Sequence, residues 1–416
     1  YATPAWQADE QYEHTTKLFA ALQGENKQGR VRLQPAIYWN QNRDRYEGYR
    51  GRPEVMKYNH NHCDIYGLKL NSYFDWAAGR TALGAELRNE DLVSTNLGEP
   101  LTTHSSPATN HESPLTTHQD LGINRTNIAA HLEHNVLLDR MTLSAGFVAA
   151  KSSWSNMKIT LYPGMDISYL LLKPQPASRH PQIVKLFASY NTSLRLPSFT
   201  EMYYRLQGYA ADPHLKPEEM QALELGVQYD TPALQGKLSA YHHHGRNMID
   251  WIMDTSQGEQ AVWQSVNHTK INSFGVEATA AVNLKAAFRS PLSSLHLSYS
   301  YITQDKKAEP GIVSQYVQEY LRHKLVARLH TDLWQSLGMS LNLRWQDRVG
   351  SYTSFSGEVC DDRPFALLDV RLQWTKPRYI VYAEANNVLN NRSYVDFGNV
   401  PQPGTWIVVG TRIVVL

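Results

Sequence analysis

The sequence predicts an all-β fold, an antiparallel transmembrane β-barrel, on three observations. Apolar and polar residues alternate with a period of two in window after window. The connections between those windows alternate between short and long. Nowhere is there a run of the roughly eighteen apolar residues that a membrane helix needs. The bulk composition agrees. The 416 residues carry 40 basic and 39 acidic side chains, which leaves no electrostatic case for a nucleic-acid partner. Aromatic residues make up 11% of the chain, with 24 Tyr and 10 Trp, as expected if rings gather at two bilayer interfaces. Cys63 and Cys360, the only cysteines, lie far apart in sequence and suggest neither a disulfide framework nor a zinc site.

Taken in chain order, the clearest windows begin at 184–195. There Val184, Leu186, Ala188 and Tyr190 alternate with Lys185, Phe187, Ser189 and Asn191. In 222–230, Leu223, Leu225, Val227 and Tyr229 alternate with Glu224, Gly226, Gln228 and Asp230. Leu295, Leu297, Tyr299 and Tyr301 share one face of 295–301. Leu337, Met339, Leu341, Leu343 and Trp345 do so in 336–346, opposite Ser340, Asn342 and Arg344. In 366–374 the apolar face is Ala366, Leu368, Val370, Leu372 and Trp374. Two more strands follow, 378–388 and 406–416, the second with Ile407, Val409, Thr411, Ile413 and Val415 on one face and Arg412 on the other. Successive side chains of a strand point to opposite sides, so each window has an apolar face for hydrocarbon and a polar face for a watery lumen. A soluble sandwich or propeller would also alternate.

The connections separate these possibilities. Short ones fall near 26–29, 77–80, 139–140, 231–236, 334–335 and 376–377. Long ones fall between them at 46–59, 95–120, 196–217, 303–315, 350–362 and 389–404. Tight turns at one rim and long loops at the other mark an outer-membrane barrel. Connections near 153–156 and 173–181 break the length rule but keep the order. About seventeen strands are expected, an odd number where bacterial single-chain barrels have even counts. No signal peptide opens the chain, so 1–416 reads as an N-terminally truncated barrel.

Three blocks carry a family resemblance. SLRLPSFTEMYY at 193–204, followed by DPHLKPEEMQALELGVQY at 212–229, matches a receptor motif at Arg195, Pro197, Glu201, Leu215, Lys216, Pro217, Glu218, Glu224 and Gly226. Asp212 and His214 replace the more usual residues near its Asn-Pro. GRNMIDWIM at 245–253 and NHTKINSFGVEATA at 267–280 form a second block, read as a hairpin. The third is NNVLNNRSYVDFGNVPQPGTWIVVGTRI at 386–413. Together they resemble the TonB-dependent outer-membrane receptors, and the segments AIYWNQNRDRYEGYR at 36–50, NHCDIYGLKLN at 61–71 and ALGAELRNEDLVSTNLGEPL at 82–101 are similar to cobalamin receptors of Bacteroidales-type bacteria. The resemblance implies a barrel of twenty-two strands, a lumen filled by an N-terminal plug, and TonB-energised import of a scarce, bulky nutrient. The plug and the first strands would then precede Tyr1. The motif residues themselves read as architectural: Pro217 ends a loop, and Gly226 lets a neighbour pack closely on the lumen side.

The ligand expected on this basis is cobalamin, with a siderophore or haem as the alternative. Candidate contacts in the outer loops are Tyr203, Tyr204, Arg205, Tyr209, Trp251, Trp263, Tyr352 and Tyr394, with Phe355 and Phe397 nearby, since rings beside polar groups suit a flat amphipathic macrocycle. The competing role for the same rings is the interfacial girdle. Outer-membrane lipid and the TonB complex are the expected partners. No cofactor and no metal site is expected. His60 and His62 share a strand face, as do His242 and His244, whereas His131 and His134 fall on opposite faces of a strand. Asp254, Glu259, Asp361 and Asp362 lack the dense oxygen spacing of a calcium loop. No nucleophile elbow points to a barrel enzyme. A passive porin would need an open lumen.

Overall fold

Period-two alternation becomes strand wherever the chain can pair it, and here it pairs almost without interruption. The structure, a computed structural model, describes residues 11–101, 121–154, 157–173, 181–205, 208–268, 270–288, 292–305, 311–314, 320–353, 358–392 and 403–414. Its strands are β1 (Tyr12–Gln23), β2 (Val31–Glu47), β3 (Asn59–Trp76), β4 (Gly79–Ser94), β5 (Glu99–Pro100), β6 (Leu121–Leu137), β7 (Met141–Ser152) and β8 (Thr160–Leu172). They continue as β9 (Ile183–Arg195), β10 (Tyr209–Ala210), β11 (Glu218–Asp230), β12 (Leu234–Arg246), β13 (Met248–Asp254), β14 (Trp263–His268), β15 (Ile271–Asn283) and β16 (Leu292–Asp305). The remainder are β17 (Ile312–Ser314), β18 (Tyr320–Trp334), β19 (Leu337–Val349), β20 (Ser351–Thr353), β21 (Val359–Asp361), β22 (Phe365–Lys376), β23 (Tyr379–Asn386) and β24 (Trp406–Ile413). Short helices α1 (Phe199–Tyr203) and α2 (Leu284–Phe288) lie in connections. No described helix is long and apolar enough to cross a membrane.

Eighteen strands form one sheet; β5 contributes only two residues, which leaves seventeen long ones, as the sequence predicts. Each long strand pairs antiparallel with the next, from β1–β2 through to β23–β24. The connections follow the expected rule, with tight turns such as those before β4 and β19 at one rim and long loops at the other. The 245–280 block departs from the expected simple hairpin. It is two nested pairs: β12 pairs with β15 in the wall, and β13 with β14 in the loop they enclose. That loop joins a second, four-stranded sheet, β10-β14-β13-β17, built from three successive long connections.

Which face meets lipid can be read from the rows across the strands. Leu329, Leu341 and Val370 are aligned, as are Ile37, Leu68, Leu87 and Ile128. Leu68 is 57% exposed and Ile128 51%, as outward residues of a single wall must be. Above this apolar band lie Trp39, Tyr66, Tyr190, Tyr299, Tyr301 and Trp345; below it lie Phe74, Tyr169, Trp374 and Tyr379. These rows form two girdles, while other rings, such as Tyr38 and Phe187, lie on the inner face.

On the opposite face the neighbours are polar. The Tyr38 hydroxyl donates to Glu86 (2.6 Å), Arg125 contacts Glu90 (2.7 Å), Lys237 contacts Glu224 (3.2 Å), and Arg371 contacts Glu384 (3.3 Å). Glycine on this face makes room for a ring. A Cβ on Gly226 would meet the Phe187 ring at 2.2 Å, and one on Gly67 would meet Tyr38 at 2.0 Å. Gly226 therefore has the packing role expected of it, and Phe187 is the residue that fills the space.

Candidate functional site at the outer mouth

Residues of several connections at the outer rim pack against the inward face of the wall and carry the only sizeable apolar core among the described residues. It consists of Leu92, Leu97, Trp154, Met202, Tyr203, Leu215 and Ile249, with Cys63, Ile123, Phe199 and Tyr204 packed against it. Leu92, Cys63 and Ile123 come from the inward face of the wall, whereas Met202 and Tyr203 come from α1 and Ile249 from β13.

The receptor-motif residues hold these loops in place. Arg195, at the end of β9, donates Nε to Glu218 (2.5 Å) and both terminal nitrogens to Glu201 (3.0 and 2.9 Å). Ser198 and Glu201 form a reciprocal capping box that starts α1 directly after Pro197. Burial, the largest influence on the Glu201 carboxyl, would raise it, but hydrogen bonds from Arg195 and Ser198 together outweigh burial and hold it below the ordinary carboxylate range. Arg125, itself buried between β-wall and loop, donates to the Pro197 carbonyl (2.7 Å) and lies over the Phe199 ring (4.7 Å). Glu218 also accepts from the Ile249 amide (2.7 Å), which anchors the start of β13. Asn267 bridges two loops: its oxygen accepts from the Lys216 amide (2.6 Å), and its nitrogen donates to the carbonyls of Lys216 (2.9 Å) and Asn247 (2.7 Å). Asn247 adopts φ 52°, a left-handed turn that Asn tolerates better than most residues.

Six of the eight candidate contacts stand on this scaffold. Tyr204, Tyr209 and Trp251 form an edge-to-face triad with ring centroids 5.3, 5.5 and 6.3 Å apart. A cleft of about 310 Å³ opens beside them, lined by Met202, Tyr203, Tyr204, Arg205, Tyr209 and Pro213. Tyr203 and Trp251 are only 8% and 4% exposed, so they support the cleft more than they present a surface. The Tyr203 hydroxyl faces Glu99 at 3.5 Å, and burial, followed by the Glu99 charge, pushes its pKa up. Arg205 is exposed and donates to the Gly98 carbonyl (3.1 Å). Trp263 pairs alongside Tyr209 through β10 and β14. Tyr352 stands apart, on the small β20–β21 pair. Tyr394, Phe355 and Phe397 lie outside the described residues. Pro213 and the supporting Met202 are not among the contacts expected from the sequence, although both lie within the receptor-motif blocks at 193–204 and 212–229.

His243 stacks on Tyr241 (4.6 Å) toward the lumen, while His242 lies between Leu223 and Phe274 on the outer face. Asp254 caps the 3-10 helix Thr255–Gln260 through the Ser256 amide (3.0 Å). Among the described residues no group of three or more His, Cys, Asp or Glu could hold a metal ion.

An antiparallel wall with an apolar outer band, two girdles, a polar inner face and a loop-built mouth defines an outer-membrane receptor barrel. Residues 1–388 match the family described as TonB dependent receptor-like, beta-barrel, and the chain belongs to that family and to the outer membrane. Over 95 residues it is 32% identical to the vitamin B12 transporter of Vibrio vulnificus, a stretch covering 23% of this chain and 15% of that one. Among solved structures it is similar to a ferric enterobactin receptor mutant from Pseudomonas aeruginosa, with a TM-score of 0.69 at 15% identity, covering 96% of this chain and 61% of that one. It is also similar to an iron transporter from Neisseria meningitidis (TM-score 0.68, 16% identity, 96% and 64% covered) and to a copper transporter (TM-score 0.67, 14% identity, 95% and 64% covered). At these identities the likeness concerns the fold. The chain spans less than two thirds of each of these relatives.

Proposed function

We propose that this barrel is the wall of an active importer that captures cobalamin at its outer mouth. The similarity to a vitamin B12 transporter over 95 residues carries the choice of ligand. The triad of Tyr204, Tyr209 and Trp251 supports it, because pre-packed rings beside an exposed guanidinium suit a large ligand with apolar faces and amide edges. In this reading residues 1–416 belong to one barrel domain, the plug and further strands lie upstream of Tyr1, and the plug links the receptor to the TonB complex.

The test is direct binding by the intact receptor of cyanocobalamin, haem and ferric siderophores in parallel. Cobalamin binding that weakens on Tyr209→Ala supports the proposal. Binding of an iron chelate and not cobalamin replaces the ligand but keeps the importer. Free diffusion of small solutes through the reconstituted protein, with no saturable ligand, would make it a porin instead.

A further inference from the structure

Tyr203, Tyr204 and Arg205 reach the mouth cleft from the end of α1, and α1 is only five residues long. A helix of little more than one turn is not stable alone, so its place and tilt come from contacts outside it. One anchor is Arg195, at the end of β9, which grips Glu201 through both terminal nitrogens. A second comes from β6, where Arg125 donates Nη1 to the Pro197 carbonyl (2.7 Å) and lies 4.7 Å from the centre of the Phe199 ring. β6 and β9 are separated by two strands of the wall, a distance of roughly 14 Å at the usual strand spacing. Anchors so far apart fix the direction of the helix as well as its position.

Arg125 is itself clamped. Glu90 stands directly opposite it on β4 and accepts from its Nε (2.7 Å) and Nη2 (2.5 Å). The other Glu90 oxygen accepts from Arg88 Nη2 (2.7 Å), so the carboxylate is held at both oxygens. Glu90 and Arg125 are only 6% and 7% exposed. A buried ion pair contributes little net stability, because desolvation offsets much of the attraction, yet losing one partner is costly. Its gain here is a guanidinium whose plane is fixed: one edge on the carboxylate, one nitrogen on the entry to α1 and one face on a ring of α1. Neither Arg125 nor Glu90 lines the cleft.

We propose that Arg125, clamped by Glu90, is a positioning residue of the mouth cleft: it sets the tilt of α1 and thereby where Tyr203, Tyr204 and Arg205 meet a ligand. The identity of that ligand rests on the import reading, whereas the positioning does not.

The experiment uses the intact receptor in mild detergent and measures, for Arg125→Lys, hydrogen exchange at the 199–204 amides and affinity for cyanocobalamin. Lysine keeps the charge opposite Glu90 but cannot hold the carboxylate, the carbonyl and the ring together. Exchange at 199–204 should quicken about tenfold while β4 and β6 stay as protected as in the unaltered protein, and cobalamin should bind about tenfold more weakly. Because Arg125 acts through α1, that loss should shrink to about twofold in an Arg205→Gln background. It should persist in a Tyr352→Ala background, since Tyr352 stands apart on β20–β21. An equal loss in both backgrounds would mark general destabilisation and overturn the proposal. So would unchanged exchange at 199–204, or exchange that quickens to the same degree in the wall. If Arg125→Lys does not fold, Glu90→Gln, which leaves every donor of Arg125 in place and weakens only the clamp, is judged by the same measurements. If the unaltered receptor does not bind cobalamin, the ligand of the import reading falls, and hydrogen exchange alone decides the positioning.

Discussion

Asn267 makes three hydrogen bonds across two loops, and no other side chain described holds Lys216 and Asn247 together. Asn267→Ala would strip partners from backbone groups at the mouth and should cost about 1–3 kcal/mol locally. Limited proteolysis should then cut within 205–217 or 247–267 while the wall stays intact; an unchanged digest would count against this role. Glu201 gives a pH signature of the same joint. Its carboxyl is held below its unfolded value, so its stabilisation is complete above the ordinary carboxylate pKa of about 4.3 and fades as pH falls through the lower folded value. Hydrogen exchange at the α1 amides should therefore quicken on acidification below that range in the native protein. The Glu201→Gln variant, lacking the titration, should show no such acid step.

At the level of the strand, opposite faces answer to different solvents. Leu341 faces outward between Leu329 and Val370, whereas Asn342 accepts from Arg328 (3.3 Å) and donates to Asp369 (3.2 Å). Leu341→Lys should cost about 2–4 kcal/mol near the bilayer centre. Asn342→Lys should cost far less, because Asp369 is there to receive the ammonium. Reversible unfolding in lipid vesicles measures both, and equal costs would contradict the assigned orientation. Packing on the inner face is tested at Gly226. An added methyl would meet the Phe187 ring at 2.2 Å and the Leu238 carbonyl at 2.8 Å, so Gly226→Ala should cost about 1–3 kcal/mol, and Phe187→Leu in the same chain should recover part of it.

Across the whole molecule, the wall was legible in the sequence and the mouth was not. Alternation at 295–301, 336–346 and 366–374 gave the strands, their faces and the rim at which they turn, because lipid on one side and water on the other act on every second residue regardless of what lies far along the chain. The motif residues were readable as architecture, and Arg195, Glu201, Glu218 and Gly226 do act as joints. Their partners were not readable: nothing in the order of residues ties Arg125 to Pro197 or Asn267 to Lys216. The sheet β10-β14-β13-β17 escaped for the same reason, since its short strands come from three loops and two of them have three residues or fewer. Likewise, the spacing of His60 and His62 or His242 and His244 shows that each pair shares a face, but it leaves open whether that face meets the lumen or the lipid. Local period is written into the sequence by the two solvents each strand must satisfy. Contacts between distant loops, and the side of the wall on which a polar pair ends, are set only when neighbouring strands fix the register.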